Sequence, residues 1–467
     1  MSSITGESTS CSCMQTLLDY FRLPAELLDI RSRSADGHSS GFFRFGDEVL
    51  FGNPSVGIPP GTIASPLDDV LSSVEVRDGR CYLPFDIDEV ITNLREEVYA
   101  SGSEGGVATS SLAKKVYYAV RPLLGVAVRK HLQRFALRRA HEQTFPSWPV
   151  DRTVEKTFAR VLNLAMKATG VDYLPFIWFW PQGQSGCVLM THDVETGRGL
   201  SFCSTLMDLN DSHGIKSAFQ IVPAERYVTP QEILDKIRSR EFEVNVHDWN
   251  HDGRLYSDRQ LFVDRAKKIN EAGVRFGAKG FRSGALYRNP KWYDSLDFEY
   301  DMSIPNVAHL DPQPGGCCTV MPYFIGNIVE IPVTTIQDYS LFHIRREYSI
   351  DLWKRQIDAI LEFNGLASFI VHPDYIIDSK SRDIYVQLLA YLASLRTSRK
   401  VWIARPHDVN RWWRQRSQMQ LVRCGATWKI EGAGSERARI GYVVATEHGV
   451  EYTIGSPVTS NQVPCEF

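Results

Sequence analysis

An α/β fold built around a (β/α) barrel is the class this chain predicts, and three observations lead there. From about residue 166 onward, short apolar segments alternate with helix-length amphipathic ones, as repeated strand-helix units of a parallel sheet do. The apolar run Cys187-Val188-Leu189-Met190 ends in Thr191-His192-Asp193-Val194-Glu195, and the run ending at Val246 opens into His247-Asp248-Trp249-Asn250-His251. Such polar ends recur on many successive strands rather than at one crevice, which favours a barrel over a doubly wound sheet.

In chain order, residues 1–150 read as an α+β extension. Turn signals at Gly52-Asn53-Pro54 and Pro59-Pro60-Gly61 flank short strands at 42–51, and a helix follows at 87–100. A Gly/Ser-rich linker at 101–106 precedes residues 114–139, a basic amphipathic stretch without an acidic residue, interrupted by Pro122 and Gly125. That stretch has two readings: a docked helix with a solvated basic face, or an interfacial helix making peripheral contact with an anionic membrane or a lipid-linked glycan.

Residues 151–415 hold the barrel. Strands are expected at 187–191, 217–222, 242–246, 277–282, 300–304, 328–333, 367–372 and 401–404. Helices are expected at 199–212, 230–240 with Thr229 as N-cap, 258–272, 350–363 and 381–395. Residues 416–467 alternate apolar and polar positions around Gly432-Ala433-Gly434 and Glu447-His448-Gly449, the pattern of a small antiparallel β appendage.

Composition narrows the class. A chain of 467 residues exceeds one ordinary core, and 43% hydrophobic with 23% charged residues describes a soluble globular protein. A net charge of −3 gives no field to recruit nucleic acid. Nine scattered cysteines, including the vicinal Cys317-Cys318 and Cys11-Ser12-Cys13, form neither a disulfide framework nor a zinc knuckle, which fits a reducing compartment. The first residues lack the basic and apolar regions of a secretory signal, and the apolar run 173–180 is too short to span a bilayer, so a cytoplasmic location is expected.

The chemistry begins with His247 and His251, whose spacing can direct two imidazoles at one ion from a helix or a tight loop. A carboxylate added to them makes a divalent-metal site with open positions, as zinc hydrolysis requires; cobalt, nickel or manganese would also suit such a set. Asp193 and Glu195 lie two apart, on one face of a strand, and can divide the roles of base and ligand. His192 is an alternative third ligand, although strand alternation turns it away from Asp193. Trp249 reads as a packing residue rather than a sugar-stacking platform.

These two segments continue into Gly280-Phe281-Arg282-Ser283-Gly284-Ala285-Leu286-Tyr287, Tyr300-Asp301-Met302-Ser303 and Phe369-Ile370-Val371-His372-Pro373-Asp374. The ordered set resembles the five motifs of the polysaccharide deacetylase family (NodB-homology domain, carbohydrate esterase family 4), over roughly residues 155 to 415. The resemblance implies a distorted barrel of about seven strands. It also implies Asp193 as catalytic base, His247 and His251 as metal ligands, Arg282 as the group orienting the base, Asp301 as the acid tuning the last histidine, and His372 as general acid. The sequence departs from the family at two places. Val194 follows the base, so Glu195 is the expected third ligand in place of an adjacent aspartate. Ser283-Gly284-Ala285 replaces the usual proline and aromatic after the arginine, with Tyr287 a candidate for the substrate wall.

The expected activity is metal-dependent removal of acetyl groups from an N-acetylated sugar or polysaccharide. Alternatives are O-acetyl ester or cyclic-amide hydrolysis at the same site, or an inactive metal-containing glycan-binding protein. The sequence specifies no oligomeric state.

Overall fold

The structure, a computed structural model, describes residues 14–33, 40–63, 66–100, 145–308, 310, 313–425 and 427–455. The basic stretch at 114–139, the linker at 101–106 and Cys11-Ser12-Cys13 lie outside these residues. Contacts divide the chain into two compact units. One comprises Ser103–Arg152 and Phe179–Gln415, the other Met1–Gly102, Thr153–Trp178 and Arg416–Phe467.

The first unit is the barrel. Its strands, numbered along the chain, are β1 (Cys187–Val194), β2 (Ala218–Ile221), β3 (Glu243–His247), β4 (Gly280–Arg282), β5 (Tyr300–Asp301), β6 (Tyr323–Ile325), β7 (Ile328–Glu330), β8 (Leu366–Ile370) and β9 (Trp402–Ala404). They hydrogen-bond in the order β6-β7-β5-β4-β3-β2-β1-β8, with β9 beside the first half of β1. All pairings are parallel except the β6–β7 hairpin. β1 is buried along its whole length, as a strand covered on both faces must be, and this is why its sequence runs apolar without alternation.

The seam between β7 and β8 is closed by side chains as well as backbone. The Thr335 amide donates to Ser368 O at 3.2 Å and its hydroxyl to the same oxygen at 2.7 Å. Thr334 Oγ1 donates to Leu366 O at 2.6 Å and accepts from the Ser368 amide at 2.8 Å. Two β-branched hydroxyl residues thus complete the ring β1-β2-β3-β4-β5-β7-β8, and the α/β fold is a distorted barrel.

Helices pack outside, and their ends follow capping chemistry. α1 (Gly197–Asp211) starts at Thr196, whose hydroxyl accepts from the Gly199 amide; α3 (Arg259–Phe276) starts at Asp258 and ends at Gly277, whose φ of 57° suits a glycine. α4 (Asp351–Leu361) and α5 (Ser379–Ser398) cover the β8 side, the latter capped by Asp378. Between α1 and α3, α2 (Gln231–Ser239) corrects one expectation: Pro230 occupies the N-cap, and Thr229 caps nothing. Proline preset at the helix start displaces the hydroxyl by one position.

The second unit is α+β. It holds the hairpin Gly41–Phe45/Glu48–Gly52, a three-stranded sheet of Ile30–Ser32, Arg80–Leu83 and Glu75–Arg77, and helices Gln15–Phe21, Ile87–Arg95 and Thr153–Thr169. The C-terminal hairpin Ile440–Thr446/Gly449–Ile454 pairs antiparallel with Tyr173–Ile177, so the apolar run at 173–180 is in part a sheet strand. A second hairpin joins Gln420–Cys424 to Thr427–Glu431. Phe21 and Phe158, Phe21 and Phe176, and Phe176 and Tyr452 meet edge to face in this unit. Among the described residues no helix is long and apolar enough to cross a membrane, and the cysteines at 81, 187, 203, 317, 318 and 424 are free thiols.

Arg416 is fully buried in this unit. Its guanidinium donates to the carbonyls of Ile177 (2.6 Å), Tyr20 (2.9 Å), Trp178 (3.0 Å) and Phe21 (3.1 Å), tying the first helix to the strand at 173–177. Arg416→Met should lower stability by about 2–4 kcal/mol, because buried carbonyls lose their donor. Urea unfolding checks this; an unchanged midpoint would contradict it.

Candidate active site

Three strand ends converge on one point at the carboxyl edge of the barrel. β1 delivers Asp193 and, just beyond its end, Glu195; β3 delivers His247; the residue after Val371 beyond β8 is His372. Arg282 ends β4 in register with His247, so the two side chains share the inner face.

Arg282 crosses the barrel with no surface exposed. Its Nη1 donates to Asp193 Oδ1 and to Thr191 Oγ1, both at 2.7 Å, and its Nε donates to Met302 O at 2.9 Å. Burial alone would raise the Asp193 pKa, but the charges of Arg282, His247 and His372 outweigh it and leave the carboxyl below its usual value. Asp193 Oδ2 stands 3.8 Å from His247 Nε2.

Glu195, His247 and His251 each offer a ligand atom, all within 4.8 Å of one another. The 247–251 segment is a tight loop, not a helix. Asp248 and His251 take positive φ of 57° and 53°, and this double reversal brings the two imidazoles to 4.9 Å between centroids. Gly284 makes room for the loop, since a Cβ there would meet Asp248 Oδ2 at 2.5 Å and His251 Cδ2 at 3.0 Å. One departure of the third motif therefore has a steric reason.

The donor set fits a divalent ion. His247 Nδ1 donates to Arg282 O at 3.1 Å, which fixes the tautomer and leaves the Nε2 lone pair free. Burial pushes this imidazole down to about 4, so it is neutral, the form that ligates metal. The buried His247 Nε2 has no hydrogen-bond partner among the described residues, and His251 Nε2 lies 3.0 Å from Glu195 Oε1, whose charge outweighs burial and raises the His251 pKa. A buried imidazole nitrogen without a partner beside this pair is costly without a cation.

His372 faces the same cluster, its Nε2 3.6 Å from Glu195 Oε1. Asp338 grips it twice: Nδ1 donates to Oδ1 at 2.6 Å and the backbone amide to Oδ2 at 2.8 Å. Burial would lower the His372 pKa, but Asp338 and then Glu195 overcome it and hold the imidazole well above the ordinary value.

Asp338 is the carboxylate that tunes His372, and the sequence reading gave that role to Asp301. Strand alternation explains the correction. Asp301 is in register with Phe281, one residue from Arg282, so the pleat sends it to the opposite face of the sheet. There its Oδ2 accepts from Tyr293 OH (3.0 Å) and the Ser303 amide (2.7 Å), and burial raises it beside the likewise raised, buried Glu330. The available signal for Asp338 was a lone acid after the apolar strand at 328–333.

His192 is no ligand: its Nδ1 donates to Val371 O and its Nε2 accepts from Asn210 Nδ2, both at 3.0 Å on the helix side of β1. Trp249 packs against the core and carries Lys268 over its ring at 5.5 Å. Tyr287 is half-buried, its amide on Gly284 O. Cys317 and Cys318 are buried.

No family model matches this sequence, and no protein of curated function matches it either. Solved structures similar to it include polysaccharide deacetylases. A candidate polysaccharide deacetylase from Mycobacterium smegmatis is 18% identical with a TM-score of 0.43, covering 53% of this chain and 98% of its own. A candidate polysaccharide deacetylase from Pseudomonas aeruginosa PAO1 and the Puue allantoinase are each 14% identical with a TM-score of 0.40, covering 50% of this chain and 92% of theirs. At these scores the likeness carries no weight for the chemistry, which rests on the side chains.

Asp338→Asn should bring the His372 pKa down toward or below about 6.5, read by histidine NMR titration of metal-free protein. The sign of the linked stability follows. A raised folded pKa contributes stability that is complete below the unfolded value of about 6.5 and is lost as pH rises through the folded one. The variant's deficit should therefore be larger at pH 6 than at high pH; a pH-independent deficit would contradict the pairing.

Proposed function

We propose that this protein is a metal-dependent hydrolase of the polysaccharide deacetylase kind, removing acetyl groups from N-acetylated sugars. The observation that carries the reading is the pairing of opposite ionisation states around one ligand cluster: Asp193 kept ionised by buried Arg282, His372 kept protonated by buried Asp338. A base and an acid held ready at one pH are what hydrolysis of an amide needs.

Glu195, His247 and His251 would hold the divalent ion, zinc being the expected metal. When bound, it supplies Lewis acidity that polarises an acyl carbonyl and acidifies water. Asp193 accepts the proton of the attacking water at Oδ2, because Oδ1 is committed to Arg282. Arg282 keeps that carboxylate oriented and charged. His372 donates its Nε2 proton to the departing amine, while Asp338 holds Nδ1 and stabilises the cationic ring until transfer. Burial of the arginine and both histidines excludes competing water from the charges.

Asp193→Asn and His372→Ala should each lower kcat by at least about 100-fold with metal content unchanged. His247→Ala should lose the metal itself. Acetate release from chitooligosaccharide and acetylated xylan, and ring opening of a cyclic imide, combined with metal analysis, check all three; near-normal turnover in either of the first two variants sinks the assignment.

A further inference from the structure

Tyr375 lies one turn beyond His372, in the short helix Pro373–Ile376, and neither the sequence motifs nor the reaction above employs it. Its ring is fixed on several sides. The His372 ring is 5.1 Å away, His343 meets it at 4.7 Å nearly edge-on, and Tyr339 lies at 5.7 Å. Tyr339 and His343 belong to one wide helical turn around Ser340–Arg345, which directly follows Asp338, so the segment that supplies the His372 partner also supplies the packing of Tyr375. A ring packed in this way has little face left for stacking on a sugar, and what it can offer is its hydroxyl.

That hydroxyl makes no hydrogen bond to any described residue, and the side chain is half-buried, open to whatever enters the site. Its surroundings are the catalytic groups: after burial, the charges of Glu195 and Asp338 contribute most to keeping the phenol protonated. A phenol beside the His372 ring, with no acceptor among the described residues, is free to donate to a substrate. We propose that Tyr375 is a further catalytic residue, whose hydroxyl donates a hydrogen bond to the acyl oxygen of the substrate as negative charge develops on it. This rests on the deacetylase reading and deepens it.

Tyr375→Phe removes the hydroxyl and keeps the ring, so folding and the packing around His372 should survive. In zinc-loaded protein it should lower kcat about 10- to 100-fold, with KM within twofold and metal content unchanged. Acetate gives a readout independent of turnover, since its oxygens mimic the acyl oxygen; calorimetric titration should show it binding several-fold more weakly to Tyr375→Phe than to the unaltered protein. Equal kcat and equal acetate affinity in the two would overturn the proposal, as would a silent Tyr375→Phe with a raised KM only in Tyr375→Ala, which would make the residue a wall. If the unaltered protein released no acetate from any substrate yet lost acetate affinity on Tyr375→Phe, the deacetylase reading would fall and the donor role would stand.

Discussion

The contact between Arg282 and Asp193 organises the rest of the barrel. A guanidinium without exposed surface reaches from β4 across the interior to Asp193 and Thr191 on β1, and holds the Met302 carbonyl just past β5. Taking two charges out of water costs several kcal/mol per ion, and apolar residues of like volume would often stabilise the fold as well or better. The value of the pair therefore lies in what it presents, a carboxylate ionised and aimed at one place. Its geometry also sets its neighbours: the Arg282 carbonyl accepts from His247 Nδ1 and from the Asp248 amide, so the same residue that orients the base fixes the tautomer of a ligand histidine.

Around that contact the pleat sorts polar residues into two sets. Arg282, in register with His247, faces inward with it. Phe281, in register with Asp301, faces the helices, and Asp301 is consumed there by Tyr293 and Ser303. Asp193 and Asp301 thus have opposite fates, one an ionised group in the site and one a raised carboxyl in a buried outer network. A slip of β5 by one residue would turn Asp301 to the inner face.

The order of strands and helices was legible in the sequence because hydrophobic periodicity is local: the expected barrel elements are observed with ends moved by a few residues, while the strand Tyr323–Ile325 and the helices Thr153–Thr169 and Pro406–Gln418 were not expected. The short β5 is an example: Tyr300 and Asp301 alone make the ladder, although the apolar pattern continues to Ile304. Asp193, Glu195, His247, His251, Arg282 and His372 were likewise legible, since each stands at or just past the end of an apolar run, and the structure gathers them. Asp338 was not, because its importance depends on the residue it faces, His372, thirty-four positions away in the chain.

By itself the sequence determined the alternation of elements, the strand ends that carry chemistry and the residue types available to bind an ion. Only the tertiary structure decided how those residues are paired. It gave His372 to Asp338 rather than Asp301, used two left-handed residues instead of a helix to join His247 to His251, and paired Tyr173–Ile177 with a hairpin more than two hundred and fifty residues later. The physical reason is common to all three: propensity and periodicity act between neighbours in the chain, whereas ionisation, ligation and strand pairing depend on distances set by closure of the sheet.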